Sequence, residues 1–506
     1  MVSLTISLLA DIYEGRHGFA GISTDMRTTY AGLASTADIS LTGLIYAQRP
    51  LGNESVVRHL LMMSRPDLMR LAHEIAGHRV PDNVFATMEH MLSGKRGMML
   101  GDLSRVVRWA LLTTRTYRTH PIDSDVYYDL IWRFFFEKTL APKELENVRQ
   151  TQFVISGLSH AIGNATLKRW GRPLRLDARK WDVVLTFNVS PIEFVGRRIT
   201  RVHDLIPLVR PDFVPIEHAE IFKAQLELTL RNSQAIVTVS KCAAGDLVRL
   251  YPNTQSKIEI IPCATSRRYY RDLSSIPLQR IVERRLSEFH RHCRKRDRRL
   301  PQITPFKYFI YHGTIEPKKN VKTLLLAFDS LVNQERFREY KLIIAGRFGW
   351  MYDQERTHMA KLIEKGAVIH LEDTTNDELR VLLSNALAHV FPSYYEGFGI
   401  PPVEALSCGC PTIVSNVSSL PEVVGRAGIL VSPYDAEWLA SEMGAVALAP
   451  ESVRERIEKE SKYVLEQYAE STVRDKWMRV IEKSLSLGGR TASTLMAENY
   501  RVDSVL

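Results

Sequence analysis

At 506 residues and 57.8 kDa the chain is too long for one ordinary hydrophobic core, so two domains are expected. Its 45% hydrophobic and 25% charged residues are ordinary for a soluble protein, and no uncharged apolar run reaches the length of a membrane span. The five cysteines (Cys242, Cys263, Cys293, Cys408 and Cys410) are odd in number and lack metal-like clustering, which argues for a reducing compartment and against a disulfide frame or zinc site.

The N-terminus "MVSLTISLLADIYEG" has no basic leader and meets Asp11 early, so it reads as a first strand. "GFAGISTDMRTTYAGLA" then reads as a glycine turn into a helix, and "ISLTGLIYA" as a strand. Residues 54–168 read as a long, mostly helical, aromatic-rich insertion in the first domain. The strands "WDVVLTFN", "RRITRVHDL", "QAIVTVS" and "KIEIIP" complete that domain over residues 1–265. Residues 266–304 carry much charge and no strand signal, and read as a hinge plus a basic helical insertion. In the second domain, residues 305–470, the strands "KYFIYHGTI", "YKLIIAGRFG", "AVIHL", "AHVFPS", "PTIVSN" and "GILVSP" alternate with helices. One of these helices, "NDELRVLLSNA", takes Asn376 as its expected cap. Residues 471–506 read as a C-terminal helix crossing back to the first domain, followed by a tail. Alternation on this spacing predicts an α/β protein of two Rossmann-like, doubly wound domains facing across a cleft.

The net charge is +10 and its excess is uneven, concentrated in "RHCRKRDRRL" (Arg291 to Leu300) and in the stretch Gly94 to His120. A solvated face or exposed insertion accounts for this, and so does contact with an anionic membrane surface or an acidic acceptor. The cluster Arg105, Arg108, Trp109, Arg115 and Arg118 motivates the membrane reading. No nucleic-acid motif accompanies these charges.

Three glycine-rich turns fall at strand ends of the second domain: at Gly313, at Gly346, and from Gly397 to Gly399. Lys318 and Lys319 follow the first, and Arg347 adjoins the second. Cations, helix N-termini and glycines that let the backbone approach make a phosphate site. Carboxylates beside it repel phosphate but accept hydrogen bonds from hydroxyls, so phosphate plus hydroxyls means a nucleotide sugar. Glu404, inside its helix, is placed for the ribose, and Glu396, at the turn, for the sugar.

The run "FPSYYEGFGIPPVEALSCGCPTIVSNVSSLPEVVGRAGILVSP", with Glu396 and Glu404 seven residues apart, resembles the signature of retaining family-4 glycosyltransferases. "HGTIEPKKN" and "IIAGRFGW" are similar to that family's phosphate loop and following strand end, and "RVHDLIPL" and "AIVTVSKCAAGDL" to strands of its first domain. The resemblance covers residues 199–485 well and the first 35 loosely. It implies the GT-B fold, with no cofactor and no metal. Lys319 is expected to hold the donor diphosphate, Glu404 the ribose, and Glu396 the transferred sugar. The resemblance also implies that backbone amides of Phe398 and Gly399 lie near the sugar hydroxyls and phosphates, and that His203 faces the sugar from the first domain. Glu396, Lys319 and His203 are the implied catalytic residues. Gly21, Gly313, Thr314, Lys318, Asn320, Gly346, Arg347, Gly397, Phe398, Gly399, Ile400 and Glu404 are the implied donor-binding set. Thr314 stands where many members have arginine, so Lys318 or Arg347 is left to supply the second cation.

The resemblance further implies transfer of a mannose- or rhamnose-like hexose from a GDP-sugar to a glycan or lipid-linked acceptor, as in polysaccharide or lipopolysaccharide O-antigen synthesis. The expected location is cytoplasmic, with peripheral contact at the inner membrane face an open reading. A UDP-sugar glucosyl or galactosyl transferase, a sugar-nucleotide epimerase and a non-catalytic scaffold remain alternatives. "DSD" (Asp123 to Asp125) matches the metal triplet of the other major glycosyltransferase fold but reads as a helix cap. Cys408 and Cys410 read as small packing residues.

Overall fold

The computed structural model describes residues 5–13, 21–46, 116–272, 280–285 and 305–486. In chain order the first domain contributes β1 (Ile6–Asp11), β2 (Ile39–Tyr46), β3 (Thr116–Tyr117), β4 (Thr119–Pro121), β5 (Gln152–Ser156), β6 (Leu174–Asp177), β7 (Val183–Thr186), β8 (Ile192–Val195), β9 (Arg198–Val202), β10 (Ala235–Thr238) and β11 (Ile258–Ile260). Eight of these form one sheet in the order β11-β10-β9-β7-β1-β2-β5-β4. Its neighbours pair in parallel except β4 against β5, and β3-β6-β8 form a small parallel sheet beside it.

β5 corrects the sequence reading of residues 54–168 as a mostly helical insertion. Its apolar run pairs in parallel with β2, Val154 opposite Leu44, inside the main sheet. Five residues are too short to stand out beside the long aromatic run "YYDLIWRFFFEKTL". Those aromatics are themselves core: Tyr127, Trp132, Phe135 and Phe136 pack with Tyr30 and Phe153. Residues 54–115, most of the basic cluster with them, lie outside the described residues, as do residues 286–304. The Asp123 segment immediately precedes the helix Ser124–Ile131.

The second domain holds β12 (Tyr308–His312), β13 (Lys341–Ala345), β14 (Val368–Leu371), β15 (His389–Phe391), β16 (Thr412–Ser415) and β17 (Gly428–Val431). All pair in parallel in the order β14-β13-β12-β15-β16-β17. Buried on both faces, these strands read as continuous apolar runs. Tyr308, Phe309, Ile310 and Tyr311 of β12 are at most 2% exposed. The helix Val321–Val332 meets them with Val321, Leu324, Leu325, Phe328 and Leu331, the spacing of one buried helical face. The strand order reverses between β12 and β15, which is where an open parallel sheet leaves a crevice at its carboxyl edge. Cys408 and Cys410 are fully buried against Ala386 and Ala405, and burial pushes both thiols up.

The helix Asn376–Asn385 corrects the expected cap. Thr375, not Asn376, is the N-cap; its hydroxyl accepts from the Glu378 amide while Glu378 reaches back, a reciprocal capping box. Asn376 instead donates its side-chain amide to the Lys138 carbonyl of the first domain at 2.7 Å.

The helix Glu470–Ser486 follows the second domain but packs on the first. Val473, Trp477, Val480 and Ile481 bury against Met26 and Tyr30 of the helix Gly21–Ala34. Trp477 also lies against Phe187 and under the Arg201 guanidinium, 5.4 Å from its ring centre. No described helix is long and apolar enough to cross a membrane.

Candidate active site

Two loops leaving the crevice make the site. β12 ends at His312 and runs into "GTIEPKKN", and β15 ends at Phe391 and runs into "PSYYEGFGI". The Tyr394 amide donates to the Lys318 carbonyl at 2.8 Å, joining them. Lys319 Nζ then lies 2.6 Å from Glu396 Oε1 and 4.8 Å from the centre of the Phe391 ring. Lys318, from the same turn, has its Nζ 3.5 Å from Glu316 Oε1.

Burial disfavours the ionised form of Glu396, but Lys319 and then Lys318 outweigh it, and the carboxyl is held below the usual glutamate range. Burial also works against the charge on Lys318, yet Glu396, Glu316 and Asp204 together push its pKa above the ordinary lysine range. These groups therefore stay ionised in a largely buried place, where a new anion meets little screening.

The glycine turn touches the opposite domain. A Cβ built on Gly397 would stand 2.1 Å from the His203 carbonyl oxygen, so only glycine fits there. Ser240 of the first domain donates to the Gly397 carbonyl at 2.6 Å. Ser418 accepts from the Glu396 amide at 3.1 Å, and the Ser419 hydroxyl lies within 2.9 Å of the Glu396 and Phe398 carbonyls. We expect Gly397→Ala to lose about 1–3 kcal/mol of stability by overpacking, and to lower activity as the domains are wedged apart. Urea unfolding beside initial rates checks this; unchanged values for both would contradict the close contact.

Gly21 begins the helix Gly21–Ala34, and Ile400 begins the helix Ile400–Ser407 in the other domain. An added Cβ at Gly21 would meet Ile400 Cδ1 at 3.7 Å, an ordinary contact, so the protein itself does not demand glycine there. Gly21 thus stands across the cleft from the start of the helix Ile400–Ser407, an end favourable to anions. Phe398 turns its ring into the core against Tyr468, leaving its backbone at the turn.

Glu404 belongs to a separate pair: its Oε2 lies 2.9 Å from His312 Nε2. Behind it, the His389 ring lies tilted 4.7 Å from that of His312, and burial, with His312 beside it, keeps His389 far below the usual histidine pKa. Tyr269 lies on the other side, its phenol pushed up by burial and by Glu404.

Several members of the expected donor set also make contacts within the protein. The Asn320 side-chain amide donates to the Pro392 and Pro433 carbonyls, at 2.9 and 2.7 Å, so this buried asparagine holds the loops and has no donor hydrogen left for a ligand. Arg347 is 71% exposed and pairs with Asp373, whereas Lys318 lies in the same turn as Lys319. Gly346 is a glycine for packing: a Cβ there would strike the Gly313 carbonyl oxygen at 1.9 Å. Thr314 is exposed, and its carbonyl accepts from the Tyr311 hydroxyl at 2.9 Å.

Sequence reasoning missed His312, Ser240, Ser418, Ser419 and Asp25, whose carboxylate lies 2.9 Å from His203 Nε2. His312 had a signal, since it directly precedes Gly313 at the end of a strand. The others come from elements distant in sequence and carry none.

Two doubly wound, mainly parallel sheets on either side of this cleft define the GT-B glycosyltransferase fold. Sucrose-phosphate synthase from Thermosynechococcus elongatus shares it, with a TM-score of 0.56 over 95% of this chain and 100% of that one, at 14% identity. Residues 294–463 are similar to the family described as Glycosyl transferases group 1. The chain is 31% identical over 250 residues to O-antigen chain mannosyltransferase B of Escherichia coli, covering 48% of this chain and 60% of that protein. It is 26% identical over 242 residues to serotype-specific mannosyltransferase WbdA of Escherichia coli, covering 46% of this chain and 27% of that protein. The chain thus spans less than two thirds of the length of either.

Proposed function

We propose that the chain transfers a mannose- or rhamnose-like hexose from a nucleotide diphosphate sugar, a GDP-sugar, to a glycan or lipid-linked acceptor in polysaccharide or O-antigen synthesis. The observation that carries this reading is the buried Lys319–Glu396 pair, with Lys318 beside it, at the start of the Ile400–Ser407 helix. The names of the mannosyltransferase relatives support the choice of sugar and pathway.

In this reading the donor diphosphate lies against Lys319, Lys318 and the amides of Phe398 and Gly399. Glu396 accepts from hydroxyls of the sugar, and Glu404 from those of the ribose. The bond from the anomeric carbon to the diphosphate oxygen breaks through an oxocarbenium-like state. The acceptor oxygen bonds on the same face, giving retention, and its proton passes to the leaving phosphate. No side chain acts as covalent nucleophile; catalysis comes from placing cations where the leaving group gains charge, and from orientation.

A panel of nucleotide sugars, assayed for turnover with and without acceptor, tests the reading; no turnover of any donor overturns it. Because lysines and helix starts meet the diphosphate charge, turnover is expected to survive excess EDTA. A loss restored by Mn²⁺ or Mg²⁺ would overturn metal independence. Glu404→Gln keeps the contact with His312 but removes the charge offered to the ribose. It is expected to weaken nucleoside diphosphate binding by about 1–3 kcal/mol, the scale of a charge-assisted hydrogen bond, as read by calorimetry. Unchanged affinity would remove Glu404 from the nucleotide site.

A further inference from the structure

His203 carries an unexplained atom. Its ring is more than nine-tenths buried, and its Nδ1 has no hydrogen-bond partner among the described residues. A buried nitrogen left unpaired costs free energy, and a ligand hydroxyl would satisfy it. The other ring nitrogen is engaged: Nε2 lies 2.9 Å from Asp25 Oδ2.

Asp25 is held rigidly. It is fully buried in the helix Gly21–Ala34, and Arg201 grips it from β9 with Nε 2.5 Å from Oδ2 and an NH2 contact of 2.9 Å to Oδ1. Arg201 is anchored in turn by the Pro262 carbonyl at 3.0 Å and by the face of Trp477. Burial opposes the Asp25 charge, but Arg201 and then His203 outweigh it and keep the carboxyl below the usual aspartate range. An ionised carboxylate only accepts, so the nitrogen facing it must donate. In the neutral ring that leaves Nδ1 with a lone pair. The His203 carbonyl lies against the Gly397 turn, so the residue stands beside the loop that carries Glu396.

We propose that Asp25 is the positioning residue for His203: it imposes the Nε2–H tautomer, so that Nδ1 accepts a hydrogen bond from a hydroxyl of the transferred sugar. The role at the sugar rests on the glycosyltransferase reading; the tautomer does not. Arg201 keeps the carboxylate charged and still, which an aspartate alone in this buried place would not be.

Nitrogen-15 NMR of the histidine-labelled full chain in alkaline buffer reads the tautomer directly, with the His203 signals identified by their loss in His203→Gln. The expected result is a protonated Nε2 and a bare Nδ1; a protonated Nδ1 overturns the proposal. In kinetics, Asp25→Asn keeps its oxygen for Arg201 and turns its amide to Nε2, inverting the tautomer. Its turnover is expected to fall about ten- to a hundredfold, the scale of one misdirected hydrogen bond to the reacting group, with binding of free nucleoside diphosphate unchanged. Added to His203→Gln, it should cost nothing further. Full multiplicative losses, or an equal loss of nucleotide binding, overturn the proposal. Should Asp25→Asn fail to fold with Arg201 left unpaired, the NMR tautomer of the unsubstituted chain decides the proposal. A wild-type chain that turns over no nucleotide sugar overturns the function reading instead, and the NMR tautomer then decides the Asp25 pairing alone.

Discussion

Lys319→Ala is expected to lower sugar transfer by about 10²–10³-fold and to weaken nucleoside diphosphate binding in the same protein. The rate loss is the scale for removing a preorganised charge at a developing anion. The lysine meets the diphosphate before reaction and meets more charge as the bond breaks, so ground-state binding and turnover both suffer. Its removal also strips Glu396 of the nearest cation that offsets its burial, leaving Lys318 as the remaining lysine that holds the carboxyl down. Lys319→Arg, which keeps the charge but changes its shape, should retain binding better than turnover. Calorimetry with the free nucleotide and initial rates with the full donor give the two numbers. A change below about threefold in both would put the diphosphate elsewhere and remove the basis of the proposed chemistry.

Glu396→Gln is expected to separate the two quantities. Turnover should fall by about 10²-fold, because the contact is with the group that becomes cationic in the transition state. Free nucleoside diphosphate should bind as well as before or more tightly, since Glu396 is the carboxylate that pairs with Lys319 at 2.6 Å and competes for its charge. The pH dependence carries the same sign. Lys319 and Lys318 hold the Glu396 carboxyl below its usual range, so the activity that depends on its charge is complete at neutral pH. That activity is lost only as pH falls through the depressed value. Weaker nucleotide binding in Glu396→Gln, with turnover intact, would exchange its role with that of Glu404.

What the sequence determined by itself was local and periodic. The second domain was legible almost strand by strand, because parallel strands buried on both faces are unbroken apolar runs and their helices repeat one apolar face. Its ligand loops were legible for the same reason: glycines and lysines at strand ends carry their chemistry within a few residues, as "HGTIEPKKN" and "EGFG" do. Asn320 and Arg347 show what that reading leaves open. Their residue types suit a phosphate, but a side chain's partners are set by what folds against it, here two proline carbonyls for Asn320 and Asp373 for Arg347. β5 escaped because five residues carry too little period to compete with an aromatic helix nearby. Only the tertiary structure brought Asp25 to His203, 178 residues apart, and the His203 carbonyl against Gly397. No pattern in one segment encodes such pairs. They arise because two sheets, each built from its own local signals, close on one another and leave a few buried polar groups that must find partners across the gap.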